Sequence, residues 1–130
     1  MKKPKIKITV VKEDTGYSAK TLVNGNFIAT GAETFEELNT MVLEAVNLAF
    51  EEKGFVYTIE EIQFEYDLES FFDFYKVINA KALSKRIGMN QSLLAQYIKG
   101  IKKPSVIQTK RILRGVQQIG RELTEVRFLL

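Results

Sequence analysis

"KALSKRIGMNQSLLAQYIKG", Lys81–Gly100, holds two glycines twelve positions apart, Gly88 and Gly100. Leu83, Ile87, Met89, Leu94 and Tyr97 keep a helical rhythm that breaks once, at the first glycine. Glycine enters the left-handed region without steric cost, so Gly88 is expected to end a helix over 81–87 and Gly100 a second over 91–99. Met89 should bury in the corner and Asn90 should cap the second helix. That helix opens on amides and a hydroxyl instead of charges.

Two short helices at such a corner read as a helix-turn-helix, in which the second helix enters the major groove and meets base edges. Amides pair with adenine in a bidentate way and Ser bonds several bases, so Asn90, Gln91, Ser92 and Gln96 are the expected base contacts. Lys81, Lys85, Lys99, Lys102 and Lys103 are the expected phosphate contacts, with Lys110 and Arg111 adding to the basic surround. The plainer reading of the same stretch is a packing corner with solvated amides.

Outward from this stretch, charge divides the chain. Residues 1–75 carry seven Lys and Arg against fourteen Asp and Glu, a net −7. Residues 76–130 carry twelve against two, a net +10. The basic half suits phosphate and the acidic half does not. The chain of 130 residues, 45% apolar, has enough apolar side chain for a real core. With no Cys and no His it lacks disulfides, thiolate metal ligands, and the commonest general base and zinc ligand. The start, MKKPKIKITVVKED, has an apolar run of only Ile8–Val11, too short for a signal peptide or a membrane span, so a soluble cytoplasmic protein is expected.

The first half has a different period. Ile6, Ile8 and Val10 alternate with Lys5, Lys7 and Thr9, a half-buried strand. Asp14-Thr15-Gly16 and Asn24-Gly25-Asn26 are turn signals that bound strands over 17–23 and 27–30. Thr34 and Glu37 form a capping box that opens a helix striped by Phe35, Leu38, Val42, Ala45 and Ala49 and stopped by Gly54. Ile62, Phe64 and Tyr66 make a fourth strand, after which Asp67 caps a helix carrying Leu68, Phe71, Phe72 and Tyr75. Ser105 and Gln108 open the last helix, striped by Ile112, Val116, Ile119 and Leu123. Val126, Phe128 and Leu130 alternate again and predict a short C-terminal strand that either pairs with its twin, helping two chains associate, or joins the first sheet.

The expected fold class is α+β. A small N-terminal sheet with one helix (1–66) precedes an all-α helix-turn-helix domain (67–123) and a dimerising strand (124–130).

The stretch "LSKRIGMNQSLLAQYIKGIKKPS" resembles the phage-repressor (XRE/Cro-like) helix-turn-helix family, with Ser84 where that family usually has Ala and Leu93 where it often has a polar base contact. The resemblance implies that Gln91, Ser92 and Gln96 face bases and that Lys81 faces phosphate. The first half, through "YSAKTLVNGNFIATGAETFEEL", resembles the HicB family of antitoxins, with Asn24-Gly25 in place of the usual Pro-Gly turn. That resemblance implies a partial RNase H-like fold that blocks a small basic ribonuclease toxin, HicA-like, and a protein that represses its own operon at a palindromic operator as a homodimer or higher oligomer. No cofactor is implied.

Two other readings of the residues stand beside this one. A stand-alone dimeric regulator would bind a ligand or protein through its first half. A nuclease would use Glu60, Glu61, Glu65, Asp67, Glu69 and Asp73 to hold metal, but the first strand has no acid and Asp67 is explained as a cap, so a non-enzyme is expected.

Overall fold

Strand β1 (Ile6–Lys12) follows its alternation: Ile6, Ile8 and Val10 are fully buried and Lys7 and Thr9 are exposed. It pairs antiparallel with β2 (Tyr17–Val23), from Thr9↔Lys20 to Lys12↔Tyr17. Strand β3 (Asn26–Ala32) pairs antiparallel with β2 across a two-residue turn, Val23↔Asn26 being its last pair. That turn needs positive φ at both central positions, which Asn24 (φ 49°) and Gly25 (φ 80°) supply.

A parallel fourth strand requires a crossover, and helix α1 (Phe35–Ala49) is part of it. Strand β4 (Ile62–Tyr66) lies beside β1 in parallel register, Ile6↔Ile62 to Val10↔Tyr66, giving the order β3-β2-β1-β4. Leu38, Val42 and Val46 of α1 seal the inner face over Ile8, Val10, Ala19 and Ile28, and Phe50 and Tyr57 complete the core. The outer face stays open, with Leu22 and Phe27 paired across it and each 69% exposed.

The computed structural model describes residues 2–130 and is α+β, with a four-stranded mixed sheet and five helices. It divides into two units, Met1–Phe74 and Tyr75–Leu130.

Several expectations shift. Thr34 Oγ1 accepts from Glu37 N–H at 3.2 Å, but the Glu37 carboxylate returns to the N–H of Glu33 at 3.3 Å, one residue before the expected partner. Helix α1 ends at Ala49, not beside Gly54; a 3-10 turn over Glu51–Lys53 intervenes, and Gly54 ends that turn at φ 75°. The fully buried Phe50 explains the early stop, because it turns the chain into the core.

Helix α2 (Leu68–Phe74), which the expected boundary after Tyr66 assigns to the helix-turn-helix domain, clusters with the sheet. Asp67 caps it through Ser70 N–H at 2.7 Å, the Ser70 hydroxyl accepts from Lys12 N–H at 2.8 Å, and the Tyr17 hydroxyl donates to Asp73 at 2.6 Å. The acidic unit therefore runs to Phe74, eight residues past the expected boundary after Tyr66.

The expected C-terminal strand is absent. Thr124 and Glu125 continue helix α5 (Val106–Glu125), and residues 126–130 have no regular structure. Alternation alone cannot make a strand where no sheet edge accepts its backbone, and the unit holding these residues contains no strand.

Burial and the Asp73 carboxylate push the Tyr17 hydroxyl up to about 12. A group raised in the folded state contributes stability below its unfolded value and loses that contribution as pH climbs through the folded one. Stability should therefore fall between pH ~10 and ~12. Asp73→Asn should bring the Tyr17 titration, read by ultraviolet absorbance, back toward 10 while leaving the part due to burial. A Tyr17 that titrates unchanged in this variant contradicts the assigned cause.

Candidate nucleic-acid interface

In the second unit, helix α3 (Ala80–Arg86) starts at Asn79, whose side chain accepts from Ala82 N–H at 3.0 Å. It ends at Arg86 with Ile87 as its C-cap, Gly88 just beyond sits at φ 67°, and Met89 then turns inward to 6% exposure. Helix α4 (Gln91–Ile98) begins at Asn90, whose Oδ1 accepts from Leu93 N–H at 3.1 Å. Gly100 at φ 76° closes it, and the N–H groups of Ile101 and Lys102 both donate to the Gln96 carbonyl, at 2.9 and 3.3 Å. Helix α4 is thus fixed at both ends by the residues expected to fix it.

Leu83, Ser84, Met89, Leu94 and Ile112 are the buried residues of the unit. Ser84 is accommodated because its hydroxyl donates to the Lys81 carbonyl at 2.6 Å. Helix α5 approaches α3 closely at Gly115, where a Cβ would collide with the Ile87 side chain and crowd Leu83.

Two arginines act structurally. Arg111 Nε and Nη2 donate to the Ile87 carbonyl at 3.1 and 2.8 Å, and Nη2 also donates to the Gly88 carbonyl at 2.8 Å. It is half-buried and not a free phosphate ligand, which corrects its assignment to the basic surround. Its cation satisfies carbonyls at the C-terminal end of α3 that have no donor of their own. Arg86 makes a two-pronged pair with Glu122 at 2.9 and 2.8 Å. With help from Gln118, Arg86 holds the Glu122 carboxyl down to about 2. The pair therefore contributes above the ordinary carboxylate range and loses its contribution as pH falls toward 2.

Of the expected base contacts, Gln91 and Ser92 are exposed at the start of α4 and Gln96 is half-buried one turn on. Among the described residues none of these three side chains makes a hydrogen bond within the chain, so their donors and acceptors are open to a ligand. Asn90 differs: its carbonyl oxygen is used in the cap, which leaves only its NH₂ group. Lys81, Lys85, Lys99, Lys102, Lys103 and Lys110 are all exposed and, among the described residues, in no salt bridge.

No protein-family model, no curated protein and no solved structure matches this chain.

The acidic side chains of the first unit are already engaged in several places. Glu61 pairs with Lys3 at 2.8 Å, Asp67 caps α2, and Asp73 accepts from Tyr17 and pairs with Lys12 at 3.3 Å. Among the described residues no group of three or more His, Cys, Asp or Glu side chains is placed to hold a metal ion. Among the same residues no helix is long and apolar enough to cross a membrane.

Sequence reasoning missed Asn79 as a cap, although Asn before a helix is a recognisable signal, and missed the roles of Arg111 and Gly115, for which local sequence carries no sign. Replacing Arg111 with Met should cost about 1–3 kcal/mol, because it leaves two carbonyls without their donor. Lys110→Met, one residue away and exposed, should stay within about 0.5 kcal/mol of wild type. Urea unfolding followed by far-ultraviolet circular dichroism measures both; equal effects would contradict the clamp.

Proposed function

We propose that the second unit is a sequence-specific DNA-binding helix-turn-helix, and that the chain is an antitoxin-type repressor whose acidic first unit masks a small basic ribonuclease. The observation that carries the DNA reading is α4. Gln91, Ser92 and Gln96 have unused hydrogen-bonding groups on a short helix pinned by Asn90 and Gly100, with unpaired lysines on both flanks. Amides on a rigid helix suit base edges, whereas lysines set register on phosphate without reading sequence. A net +10 on the unit draws it to DNA from a distance. The XRE/Cro-like resemblance of the same stretch adds to this reading.

The toxin-binding half rests on charge and order. The unit that carries −7 holds the strand-strand-strand-helix-strand order that the HicB resemblance implies, here as an order β3-β2-β1-β4. A groove on it is floored by Leu43, Leu48, Phe55 and Val56 and edged by Glu44 and Glu51. Leu48 and Val56 are largely exposed, and neither glutamate is in an ion pair among the described residues. An apolar floor with free carboxylates at its rim suits a basic protein face that must otherwise grip RNA.

Both halves can be tested on the full chain. On an operator selected from random duplexes, Gln91→Ala should cost about 1–3 kcal/mol, with little loss on unselected DNA. Lys103→Ala should weaken both DNAs alike and flatten the salt dependence by roughly one unit per half-site. Equal losses for Gln91→Ala on the two DNAs would make α4 a phosphate clamp and not a reader.

For the toxin, the chain should co-purify with a small basic protein encoded beside it and restore growth of cells expressing that protein. Glu44→Lys with Glu51→Lys should weaken the capture and spare DNA binding. Absence of any such capture would leave a stand-alone regulator.

A further inference from the structure

The face of the sheet that α1 leaves open is composed unlike the rest of its unit. Strand register lays out its rows. Leu22 stands opposite Phe27, and Lys7, beside Gln63 of β4, comes next along the same row. In the adjoining row Ala29, Lys20, Thr9 and Glu65 lie side by side. All of these residues are exposed.

Charge sets the face apart. Residues 1–75 hold fourteen acids against seven bases, yet these rows hold two lysines and one acid. Lys5, also exposed, precedes Lys7 by two residues in the same alternation. Among the described residues Lys5, Lys7 and Lys20 are in no salt bridge, whereas Lys3 and Lys12 are paired with Glu61 and Asp73. Phe27 is open in the same way. Its side chain touches no other ring among the described residues, and Ala29, the next residue of β3 on this face, is too small to cover it. A cross-strand Leu–Phe pair steadies its hairpin. That role does not call for unpaired lysines on the neighbouring positions of a mostly acidic unit.

We propose that this face binds a single strand of nucleic acid, with a base stacked on Phe27 beside Leu22 and with Lys5, Lys7 and Lys20 on phosphates. A single strand uses both features at once, because its unstacked bases offer flat faces to an aromatic ring and its backbone offers charge to lysines. A duplex keeps its base faces inside the stack. An acidic peptide would engage the lysines and leave the ring without a partner. The Gln63 amide, in the row of Phe27 and Lys7, can bond a base edge. This site stands apart from the toxin groove, which runs along α1 on the other side of the sheet, and from α4 in the second unit.

Nuclear magnetic resonance of the full chain, titrated with a short oligouridylate, reads the sheet separately from the basic unit. The amides of Lys7, Lys20, Leu22 and Phe27 should shift saturably, and the dissociation constant is taken from those residues alone. Phe27→Leu keeps an apolar side chain and removes the ring, so it should weaken binding roughly fivefold to a hundredfold, while Phe27→Tyr should retain it. Lys7→Gln with Lys20→Gln lies on the surface and tests the site without touching the packing. It should weaken binding and lower the salt slope by roughly 0.7 for each lysine removed. An oligodeoxythymidylate separates the two kinds of strand: weaker shifts at the same residues assign RNA, and equal shifts assign either strand.

Shifts confined to residues 75–130 overturn the proposal. So does a double lysine variant that binds as wild type, or a folded Phe27→Leu that binds as tightly as Phe27→Tyr. The reading of duplex DNA by α4 is untouched by any of these results, since its shifts fall in the other unit.

Discussion

The backbone at the end of α3 leaves carbonyls with no partner inside the helix, and the left-handed turn at Gly88 is the place where the chain must change direction. Arg111 reaches from α5 to donate to both Ile87 and Gly88. Three things are joined through that one guanidinium: the end of α3, the turn, and the long helix that covers them. Helix α4 starts at Gln91, three residues after Gly88, so this contact, together with the Asn90 cap, sets where Gln91 and Ser92 stand. The Arg86–Glu122 pair and the tight fit at Gly115 brace the same two helices. A base-reading helix needs this rigidity, because its side chains distinguish bases only from a fixed register.

Charge and fold divide the chain at nearly the same point. The sheet unit takes α2 with it through Ser70 and Asp73, and the division then falls between Phe74 and Tyr75 with −7 on one side and +10 on the other. Opposite fields of this size in one short chain suit two partners of opposite charge. On the proposed reading the basic unit meets an anionic polymer, with the exposed amides of α4 toward bases and lysines toward phosphate. The acidic unit keeps an apolar floor between glutamates, which suits a cationic protein surface. The proposed function assigns one partner to each unit, a basic protein to the acidic one and DNA to the basic one.

What could be read in the sequence was local. The alternation of β1, the Asn24-Gly25 turn, the Thr34 and Asn90 caps and the positive φ of Gly88 and Gly100 each depend on a few neighbouring residues, and each appears in the structure. What was misread depended on distant partners. Helix α2 joins the sheet because Lys12 and Tyr17, more than fifty residues earlier, supply its hydrogen bonds. Residues 126–130 alternate like a strand but have no edge to pair with in their unit. Arg111 looked like one more basic residue because its carbonyl partners lie more than twenty positions away. In the candidate interface the exposed amides and the two ends of α4 were legible, and the braces that reach it from α5 were not. Asn90 stands between the two: the same side chain that caps α4 has only its NH₂ group left to offer a base.

The central claim is that α4 reads DNA. It is tested most directly by nuclear magnetic resonance of the full chain titrated with a duplex selected from a random pool. Saturable shifts are expected at the backbone of residues 90–97 and at the side-chain amides of Gln91 and Gln96, with smaller changes near the flanking lysines and none in β1–β4. Shifts confined to lysine-bearing surfaces, with the Gln91 and Gln96 amides unmoved, or no saturable shifts at all, would contradict it.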